Sequence, residues 1–451
     1  MTPGARAQMT IDILDGLAET RQPADRFVER WFRDRRFAGS GDRRFINDFV
    51  FAILRHWGEL AWWSGGNVHR ALVIAGLVRL QDWTPAEFAA AFDGQGHRAA
   101  ELSPKESDLV QRVMGQAAAQ VDMPFWASAS FPEWLEADLA ERFGDDLGPE
   151  MVAMNDRAPV DLRVNTLKVN RETAQAALAD EGIETEICAL SPVGLRLTTR
   201  KRVTATKAYR SGLVEVQDEA AQLASLIVGA EPGMQVGDVC AGAGGKTLVL
   251  AATMKNSGQI HAWDVDGQRL EQLDERVQRA GIRNVQSKRV TAGTAAAENL
   301  LDKLDRVLID APCSGTGTWR RNPETKWRFD AKTLDRQVAR QRDLMVHFAP
   351  LVKPGGRLIY ATCSLLNREG AEQIDWFVQK RPDFKVVPIT DVWAEVFKTP
   401  CPMMGAKAGT KNGDYLNLSP AANGTDGFFA AVLQRDAASE TLDTASETLD
   451  D

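Results

Sequence analysis

Beyond Val216 the chain alternates between short apolar runs and amphipathic helical segments, and this alternation constrains the fold more than any other feature. The apolar runs lie at residues 234–240, 259–265, 306–311 and 357–362. Strands that are separated by helices favour a parallel sheet, because parallel neighbours need a crossover connection. We therefore predict an α/β fold with a doubly wound, mostly parallel sheet over residues 213–435.

The amino-terminal part, residues 1–127, shows helical periodicity throughout. Seven apolar residues recur at helical spacing after a Ser-Gly-Asp start signal: Phe45, Ile46, Phe49, Val50, Ile53, Leu54 and Trp57. The segment Ser103-Pro104-Lys105-Glu106 has the residue order of a helix start with a capping box. We predict an all-α domain of five to seven helices. Its neighbouring tryptophans, Trp57, Trp62 and Trp63, are interpreted as core or interface residues rather than base-stacking platforms.

A small α+β unit is predicted between these two parts, at residues 128–212. It combines two helical segments, a strand-like run at 160–164, a helix at 171–181 and an alternating stretch that ends near Thr199. The carboxyl-terminal residues 436–451 repeat Ala-Ser-Glu-Thr-Leu-Asp from 438 and again from 445. This segment is short and polar, so we expect a disordered acidic tail.

Composition and cysteine usage exclude several classes of protein. With 44% apolar and 26% charged residues, the 451-residue chain has the composition of a soluble globular protein. It contains no long apolar run and no apolar export segment near its start, so we expect a cytoplasmic protein without membrane contact. Five cysteines without CxxC spacing and five scattered histidines predict neither a disulfide framework nor a metal site. We expect a monomer.

The net charge of −8 conceals local basic patches. Six of the acidic residues lie in the tail, which leaves about −2 for the rest of the chain. Residues 200–210 carry five basic side chains and no acidic one, and residues 320–342 carry eight basic against three acidic. Such patches can form a phosphate-binding surface, although solvated helix faces have the same pattern.

A glycine-rich turn follows the first strand of the predicted α/β sheet. It reads Cys240-Ala241-Gly242-Ala243-Gly244-Gly245-Lys246-Thr247. A P-loop requires glycine at position 240, and a dinucleotide fingerprint requires glycine at 247, so neither pattern fits. Asp264 stands 22 residues after Gly242, at the end of the next strand, where it can accept hydrogen bonds from ribose hydroxyls. The turn alone predicts a nucleoside-type cofactor.

Two cysteines follow two further predicted strands. Cys313 lies in Asp310-Ala311-Pro312-Cys313-Ser314, and Cys363 lies in Thr362-Cys363-Ser364. The carboxyl ends of parallel strands form the ligand-binding edge of such a sheet, so both thiols are expected to face one cleft. A buried cysteine is usually inert, which is our interpretation of Cys188, Cys240 and Cys401, but this pair is expected to be chemically active.

Together these motifs resemble one enzyme family. The order AGAGGKT, WDVD, LIDAPCSGTGTWRRNPETKWR, GGRLIYATCS and DGFF is similar to that of the Sun-type RNA cytosine-5 methyltransferases, and among them to the bacterial RsmB-like ribosomal RNA methyltransferases. The motifs cover residues 213–435. The segment GDRRFINDFVFAILRH resembles the NusB-like RNA-associated domain of that group, and VDLRVNT matches its lead-in to the catalytic part.

The resemblance implies a class I methyltransferase fold that uses S-adenosylmethionine. It implies that residues 240–246 form the cofactor loop, that Asp264 binds the ribose and that Asp310 lies near both cofactor and target base. It further implies that Cys363 is the nucleophile and that Cys313 helps to release the product. The chain departs from the family at Ala243, where proline is usual, and near Thr291, where a further cofactor acid is expected.

Chemistry agrees with a role for two thiols. Carbon 5 of cytosine is a poor nucleophile, and addition of a thiolate at carbon 6 makes it enamine-like. A base must then remove the carbon 5 proton, for which Cys313 is the candidate. Asp310 can contact ring N3 if its carboxyl group is protonated or paired. The chemistry requires a thiolate, but which thiol attacks first is inferred from the resemblance alone.

The segment after Cys313 is the predicted RNA contact. It interleaves four cations with two tryptophans, which could hold phosphates and stack a base: Arg320, Arg321, Lys326, Arg328, Trp319 and Trp327. Ribosomal RNA is the expected partner. Three functions are carried forward: an RNA cytosine-5 methyltransferase, a non-catalytic RNA-binding or assembly factor with the same fold, and a small-molecule or protein methyltransferase. The paired cysteines and the basic tryptophan segment favour the first.

Overall fold

The structure of the chain is a computed structural model. It describes residues 1–116, 120–290, 298–402 and 413–437. Thr291 and residues 438–451 of the predicted acidic tail lie outside the described residues. The chain divides into a helical unit, Met1–Ala158 with Gly315–Thr333, and an α/β unit, Pro159–Ser314 with Leu334–Asp451.

The helical unit is built from short and medium-length α-helices, as the periodicity of the first 127 residues predicts. Within the described residues they are α1 Pro3–Ala18, α2 Ala24–Arg33, α3 Ser40–Arg55, α4 Trp57–Ser64, α5 His69–Gln81, α6 Pro85–Ala91, α7 Pro104–Val113, α8 Phe125–Ser128, α9 Glu136–Phe143, α10 Leu147–Asn155 and α16 Glu324–Arg328. Ser103 and Glu106 form the predicted capping box at the start of α7.

The core of the helical unit lies along α3 and α5. The apolar stripe of α3 is buried at Ile46, Phe49, Val50, Ile53 and Leu54. In α5 every residue from 72 to 78 is buried, so this helix lies within the core rather than on the surface. The sequence predicts that the helical domain ends near residue 127, and this boundary stays a prediction. In the structure, the residues up to Ala158 and residues 315–333, which carry α8, α9, α10 and α16, group with the helical unit.

A four-stranded antiparallel sheet opens the α/β unit. Its strands are β1 Asp161–Val164, β2 Thr185–Ile187, β3 Gly194–Leu197 and β4 Val214–Val216, in the spatial order β2-β3-β1-β4. Two helices accompany it, α11 Arg171–Ala179 and α12 Lys207–Arg210. Beside β1, Asn165 donates two hydrogen bonds of 2.9 Å, to the carbonyl oxygens of Gly212 and Ala280. Asn165 thereby joins the small sheet to the helix that ends at Ala280.

Three potential metal ligands lie close together in this small sheet, but they form an ion-pair network. Asp161, Cys188 and Glu219 are all buried, with ligand atoms within 4.8 Å of one another. The guanidinium of Arg196 donates to both oxygens of Asp161, at 2.7 and 3.0 Å, and to Glu219 at 3.4 Å. Burial raises the pKa of the Cys188 thiol, and the two carboxylates raise it further. The positive charge that balances these carboxylates is therefore Arg196.

The second sheet confirms the predicted doubly wound architecture. Its strands are β5 Gln235–Val239, β6 Gln259–Asp264, β7 Val285–Arg289, β8 Leu304–Asp310, β9 Val352–Thr362, β10 Phe384–Val387, β11 Leu416–Leu418 and β12 Phe428–Arg435. The spatial order is β10-β12-β9-β8-β5-β6-β7, and β11 pairs with β12. The five adjacent strands β9, β8, β5, β6 and β7 are parallel to one another. Strand β12 is antiparallel to its three neighbours, β9, β10 and β11.

The helices of this unit alternate with its strands. They are α13 Glu219–Leu226, α14 Gly245–Thr253, α15 Gly267–Ala280, α17 Ala331–Phe348, α18 Ala371–Lys380, α19 Ile389–Val396 and α20 Pro420–Asn423. Over the described ranges, no helix combines the length and the apolar character that a membrane crossing requires. The four parallel strands β5, β6, β8 and β9 end at one edge of the sheet, and the predicted site residues follow these ends.

Candidate active site

The glycine-rich turn after β5 has a backbone that requires glycine. Gly242 and Gly244 have φ values of +56° and +81°, in the left-handed region. A Cβ atom at Gly242 would lie 2.4 Å from the Arg269 guanidinium, and one at Gly244 would lie 2.7 Å from the Leu273 side chain. The turn thus packs closely against α15, and α14 begins at Gly245 with its amino terminus at the strand edge.

Asp264 is the acid that organises this turn. At the end of β6, one of its oxygens accepts a hydrogen bond from the Gly242 N–H at 2.7 Å, and the other accepts from the Asp266 N–H at 2.8 Å. Each carboxylate oxygen can accept more than one hydrogen bond, so ribose hydroxyls can still bind here. The structure thus brings Gly242 and Asp264 together, and the ribose-binding role of Asp264 stays a prediction.

Lys246 links the glycine turn to the end of β8. Its ammonium donates to Asp310 Oδ2 at 2.6 Å and lies 5.2 Å from the centre of the Phe428 ring. Burial alone would lower the pKa of Lys246, but the ion pair with Asp310 outweighs it and raises the pKa. Asp310 is the more exposed partner of the pair, at 29% against 12% for Lys246.

Below this pair, Asp238 is completely buried within β5 and accepts a 2.6 Å hydrogen bond from the Thr247 hydroxyl. Burial raises the pKa of Asp238 to about 7. Neighbouring Cys240 has a positive φ of 63°, and burial raises the pKa of its thiol to about 12. Cys240 is therefore a thiol rather than a thiolate at neutral pH, which agrees with its interpretation as a structural residue of the turn.

The structure brings the two predicted cysteines together. The Sγ atoms of Cys313 and Cys363 lie 3.4 Å apart, and both residues are partly buried. Register explains the proximity, because Asp310 on β8 pairs with Ala361 on β9 and the two cysteines follow these positions. The two sulfur atoms are in contact, so a reacting group that lies beside the pair could be reached by both.

A buried polar cluster behind the cysteines was missed by the sequence analysis. Glu369 is fully buried, and its carboxylate accepts hydrogen bonds from the Ser314 N–H at 2.9 and 3.1 Å and from the Gln341 amide at 3.0 Å. The Ser314 hydroxyl also donates to Glu369 and lies 3.2 Å from the Ser364 hydroxyl. The only signal in the sequence was that serine follows each cysteine.

The predicted RNA-binding cations differ in their exposure. Lys326 is 2% exposed and donates to the Ser130 carbonyl at 3.0 Å and to the Asn155 side chain. Arg328 donates to the carbonyl oxygens of Gln22 and Leu17, both at 2.8 Å. Lys326 is therefore enclosed, which does not support the phosphate-binding role predicted for it, whereas Arg328 is exposed and its predicted role stays a prediction.

The remaining residues of that segment are also largely enclosed. Arg320 is 5% exposed and Arg321 is partly buried. Trp319 is 1% exposed, and the Trp327 indole N–H donates to the Leu54 carbonyl at 2.8 Å while its ring stacks on Trp57 at 6.2 Å. Trp319 and Arg320 are therefore buried within the helical unit, whereas Arg321 and Trp327 remain partly exposed.

Comparison with protein families gives two matches. Residues 226–434 match the family described as 16S rRNA methyltransferase RsmB/F. Residues 131–204 match the ferredoxin-like domain of RsmF/B-like methyltransferases. The first match contains the glycine turn, Asp264, Asp310 and both cysteines of the site.

Individual relatives and solved structures agree with these matches. The chain is 31% identical over 404 residues to the ribosomal RNA small subunit methyltransferase B of Xanthomonas campestris, covering 87% of this chain and 89% of the relative. It is 33% identical over 308 residues to the probable ribosomal RNA small subunit methyltransferase B of Synechocystis, covering 68% and 67%.

The crystal structure of PH0851 covers 96% of this chain and 99% of its own, with a TM-score of 0.76 and 27% identity. A methyltransferase homologue from Pyrococcus horikoshii covers 69% of this chain and 97% of its own, with a TM-score of 0.59 and 26% identity. The fold, the ordered motifs and the extent of these similarities lead to one conclusion: the chain belongs to the RsmB/F family of RNA methyltransferases.

Proposed function

We propose that the protein transfers a methyl group from S-adenosylmethionine to carbon 5 of a cytosine in small-subunit ribosomal RNA. The observation that carries this proposal is the 3.4 Å separation of the Cys313 and Cys363 sulfur atoms at the cofactor edge of the sheet. A methyltransferase that acts on an already nucleophilic atom has no need of two adjacent thiols. Cytosine carbon 5 needs one thiol to activate it and a base to complete the substitution.

The residues around the glycine turn fit S-adenosylmethionine. Closely packed glycines and a helix amino terminus suit a polar ligand, and Asp264 retains acceptor capacity for ribose hydroxyls. When bound, the cofactor supplies an electrophilic methyl group. Residues 240–246 and Asp264 would hold the cofactor, and the exposed side of Asp310 would face the target base.

Replacing Asp264 by alanine is expected to weaken S-adenosylmethionine binding by about 10- to 100-fold, because charge-assisted hydrogen bonds contribute about 1.5–3 kcal/mol. The variant also loses the hydrogen bond that closes the turn onto β6. Isothermal titration calorimetry with S-adenosylmethionine measures the change. The control is Asp274→Ala on α15, whose side chain is exposed. Equal affinities of the two variants would show that Asp264 does not bind the cofactor.

The proposed reaction assigns each sulfur a different step. The Cys363 thiolate adds to carbon 6 of the cytosine, and carbon 5 would then take the methyl group of S-adenosylmethionine, which would leave as S-adenosylhomocysteine. The Cys313 thiolate then removes the carbon 5 proton, the carbon 5–carbon 6 double bond re-forms, and the Cys363 sulfur leaves as thiolate. The Asp310 carboxylate, which is paired with Lys246, would accept a hydrogen bond from protonated N3 and so stabilise the adduct.

The position of methylation is tested with RNA that carries tritium at carbon 5 of cytosine. Small-subunit ribosomal RNA, free or assembled with ribosomal proteins, is incubated with the protein and S-adenosylmethionine. We expect tritium release into water in equal amount to methyl incorporation, and no release from RNA labelled at carbon 5 of uridine. Methyl incorporation without tritium release would place the methyl group on another atom. No incorporation into either substrate, with cofactor binding intact, would favour a non-catalytic assembly factor.

A further inference from the structure

Glu369 is a buried acid that is hydrogen-bonded to the residue after Cys313. It lies six residues after Cys363, in a short 3₁₀ turn over Asn367–Glu369, and is completely buried. Its carboxylate receives hydrogen bonds from the backbone N–H and the hydroxyl of Ser314 and from the side-chain amide of Gln341. Several donors therefore converge on one buried acid.

These hydrogen bonds bracket Cys313 on both sides. Ser314, directly after the cysteine, binds Glu369 through two donor groups. Pro312, directly before it, accepts a 3.0 Å hydrogen bond from the Gln341 amide, which also donates to Glu369. The backbone on either side of Cys313 is thus held by one acid and one amide, so the direction of the intervening side chain is restricted.

Glu369 is also hydrogen-bonded to β9, the strand that directly precedes Cys363. The Glu369 carbonyl oxygen accepts hydrogen bonds from the Tyr360 hydroxyl at 2.9 Å and from the Thr362 hydroxyl at 3.4 Å, both near the end of β9. The hydroxyl groups of Ser314 and Ser364, the residues that follow the two cysteines, lie 3.2 Å apart. Glu369 therefore connects the Cys313 loop to the end of β9.

We propose that Glu369 is a positioning residue that holds the Cys313 thiol beside Cys363 for the product-release step. This inference rests on the proposed function, in which Cys363 forms the adduct and Cys313 removes the carbon 5 proton. Methyl transfer itself requires Cys363 and the cofactor, which Glu369 does not hold through its carboxylate. Loss of the carboxylate should therefore affect release more than transfer.

The test replaces Glu369 by glutamine, which keeps the size but puts an NH₂ group among the donors that now point at the carboxylate. With ribosomal RNA, we expect single-turnover methyl transfer within about 3-fold of the parent protein and multiple-turnover rates reduced at least 10-fold. A covalent protein–RNA adduct should remain on a denaturing gel, as expected for Cys313→Ala measured in parallel. Glu271→Gln, at an exposed position of α15, is the matched control.

The inference would be overturned if Glu369→Gln had the same multiple-turnover rate as Glu271→Gln. It would also be overturned if Glu369→Gln lost single-turnover and multiple-turnover activity equally, because an equal loss indicates a general structural defect. If Glu369→Gln fails to bind S-adenosylmethionine, Gln341→Met decides by the same criteria, because it removes the amide that joins Pro312 to Glu369. Absence of an adduct in Cys313→Ala itself would contradict the proposed function, and the role of Glu369 in release would be rejected with it. An adduct that forms with Cys313→Ala, but with neither Glu369→Gln nor Gln341→Met, would reject only the role of Glu369.

Discussion

Replacing Cys363 by alanine is expected to reduce methyl transfer to RNA by at least about 1,000-fold, the scale on which enzymes lose activity when their nucleophile is removed. Without the sulfur no adduct forms at carbon 6, and carbon 5 remains too weak a nucleophile to take the methyl group. The cofactor turn follows β5, and β8 separates β5 from β9, the strand that precedes Cys363. Binding of S-adenosylmethionine should therefore change by less than about 2-fold. Methyl incorporation from labelled cofactor and calorimetry measure the two quantities.

Two cysteine variants complete this experiment. Cys401→Ala removes a partly buried thiol that packs against the core and should retain full activity. Cys313→Ala should form the adduct and fail to release it, because only the proton-removing thiol is lost. A Cys363→Ala protein with more than a tenth of the parent activity would contradict the assignment of the nucleophile. An adduct trapped by Cys363→Ala instead of Cys313→Ala would reverse the roles of the two thiols.

The parallel edge strand β7 is largely exposed and was not predicted, whereas the four other parallel strands were predictable because they are largely buried on both faces. Such strands are continuous apolar runs, and the runs at 234–240, 259–265, 306–311 and 357–362 correspond to β5, β6, β8 and β9. The antiparallel strand β12 was present in the sequence analysis only as the motif Asp426–Phe429. Its position between β9 and β10 depends on pairing with residues far away in sequence, which periodicity does not show.

The same distinction applies to the site. Asp264, Asp310 and both cysteines follow strand ends, and the topology of a parallel sheet brings such positions to one edge. Glu369 could not be found in this way, because its partners Ser314 and Gln341 come from other elements and meet it only in the folded chain. The tertiary contacts of a buried acid leave no local pattern in the sequence.

Lys326 shows the opposite error. The segment that carries it has the composition of an RNA-binding stripe, but charge does not reveal exposure, and Lys326 is buried while Arg328 is exposed. The two tryptophans on either side of Lys326 in the sequence make contacts within the helical unit. The Trp319 ring centre lies 5.4 Å from Lys326 Nζ, and the Trp327 indole N–H donates to a carbonyl oxygen of α3. Aromatic and basic residues together can equally form a buried contact within a helical unit.

Replacing Lys326 by methionine is expected to change how the stability of the helical unit depends on pH. Burial lowers the pKa of Lys326 from 10.5 to about 7. Between these values the unfolded chain binds a proton that the folded chain does not, so the parent protein loses stability as the pH falls through this range. Methionine does not titrate. From pH 9.5 to pH 6, the free energy of unfolding of the variant relative to the parent should therefore rise by about 3 kcal/mol.

Hydrogen exchange of the buried amides of α3, measured at both pH values, reports this difference. Lys332→Met makes the same substitution at an exposed position of the same segment and should show no such change.

The salt dependence of RNA binding distinguishes a buried Lys326 from one that contacts RNA phosphate, as the sequence suggested. A lysine that contacts a phosphate contributes about 1 to the salt dependence of binding, so its loss would lower the slope by that amount. Because the Lys326 ammonium is enclosed by Ser130, Asn155 and Trp319, the slope should stay unchanged, and a decrease of about 1 would restore Lys326 as an RNA contact.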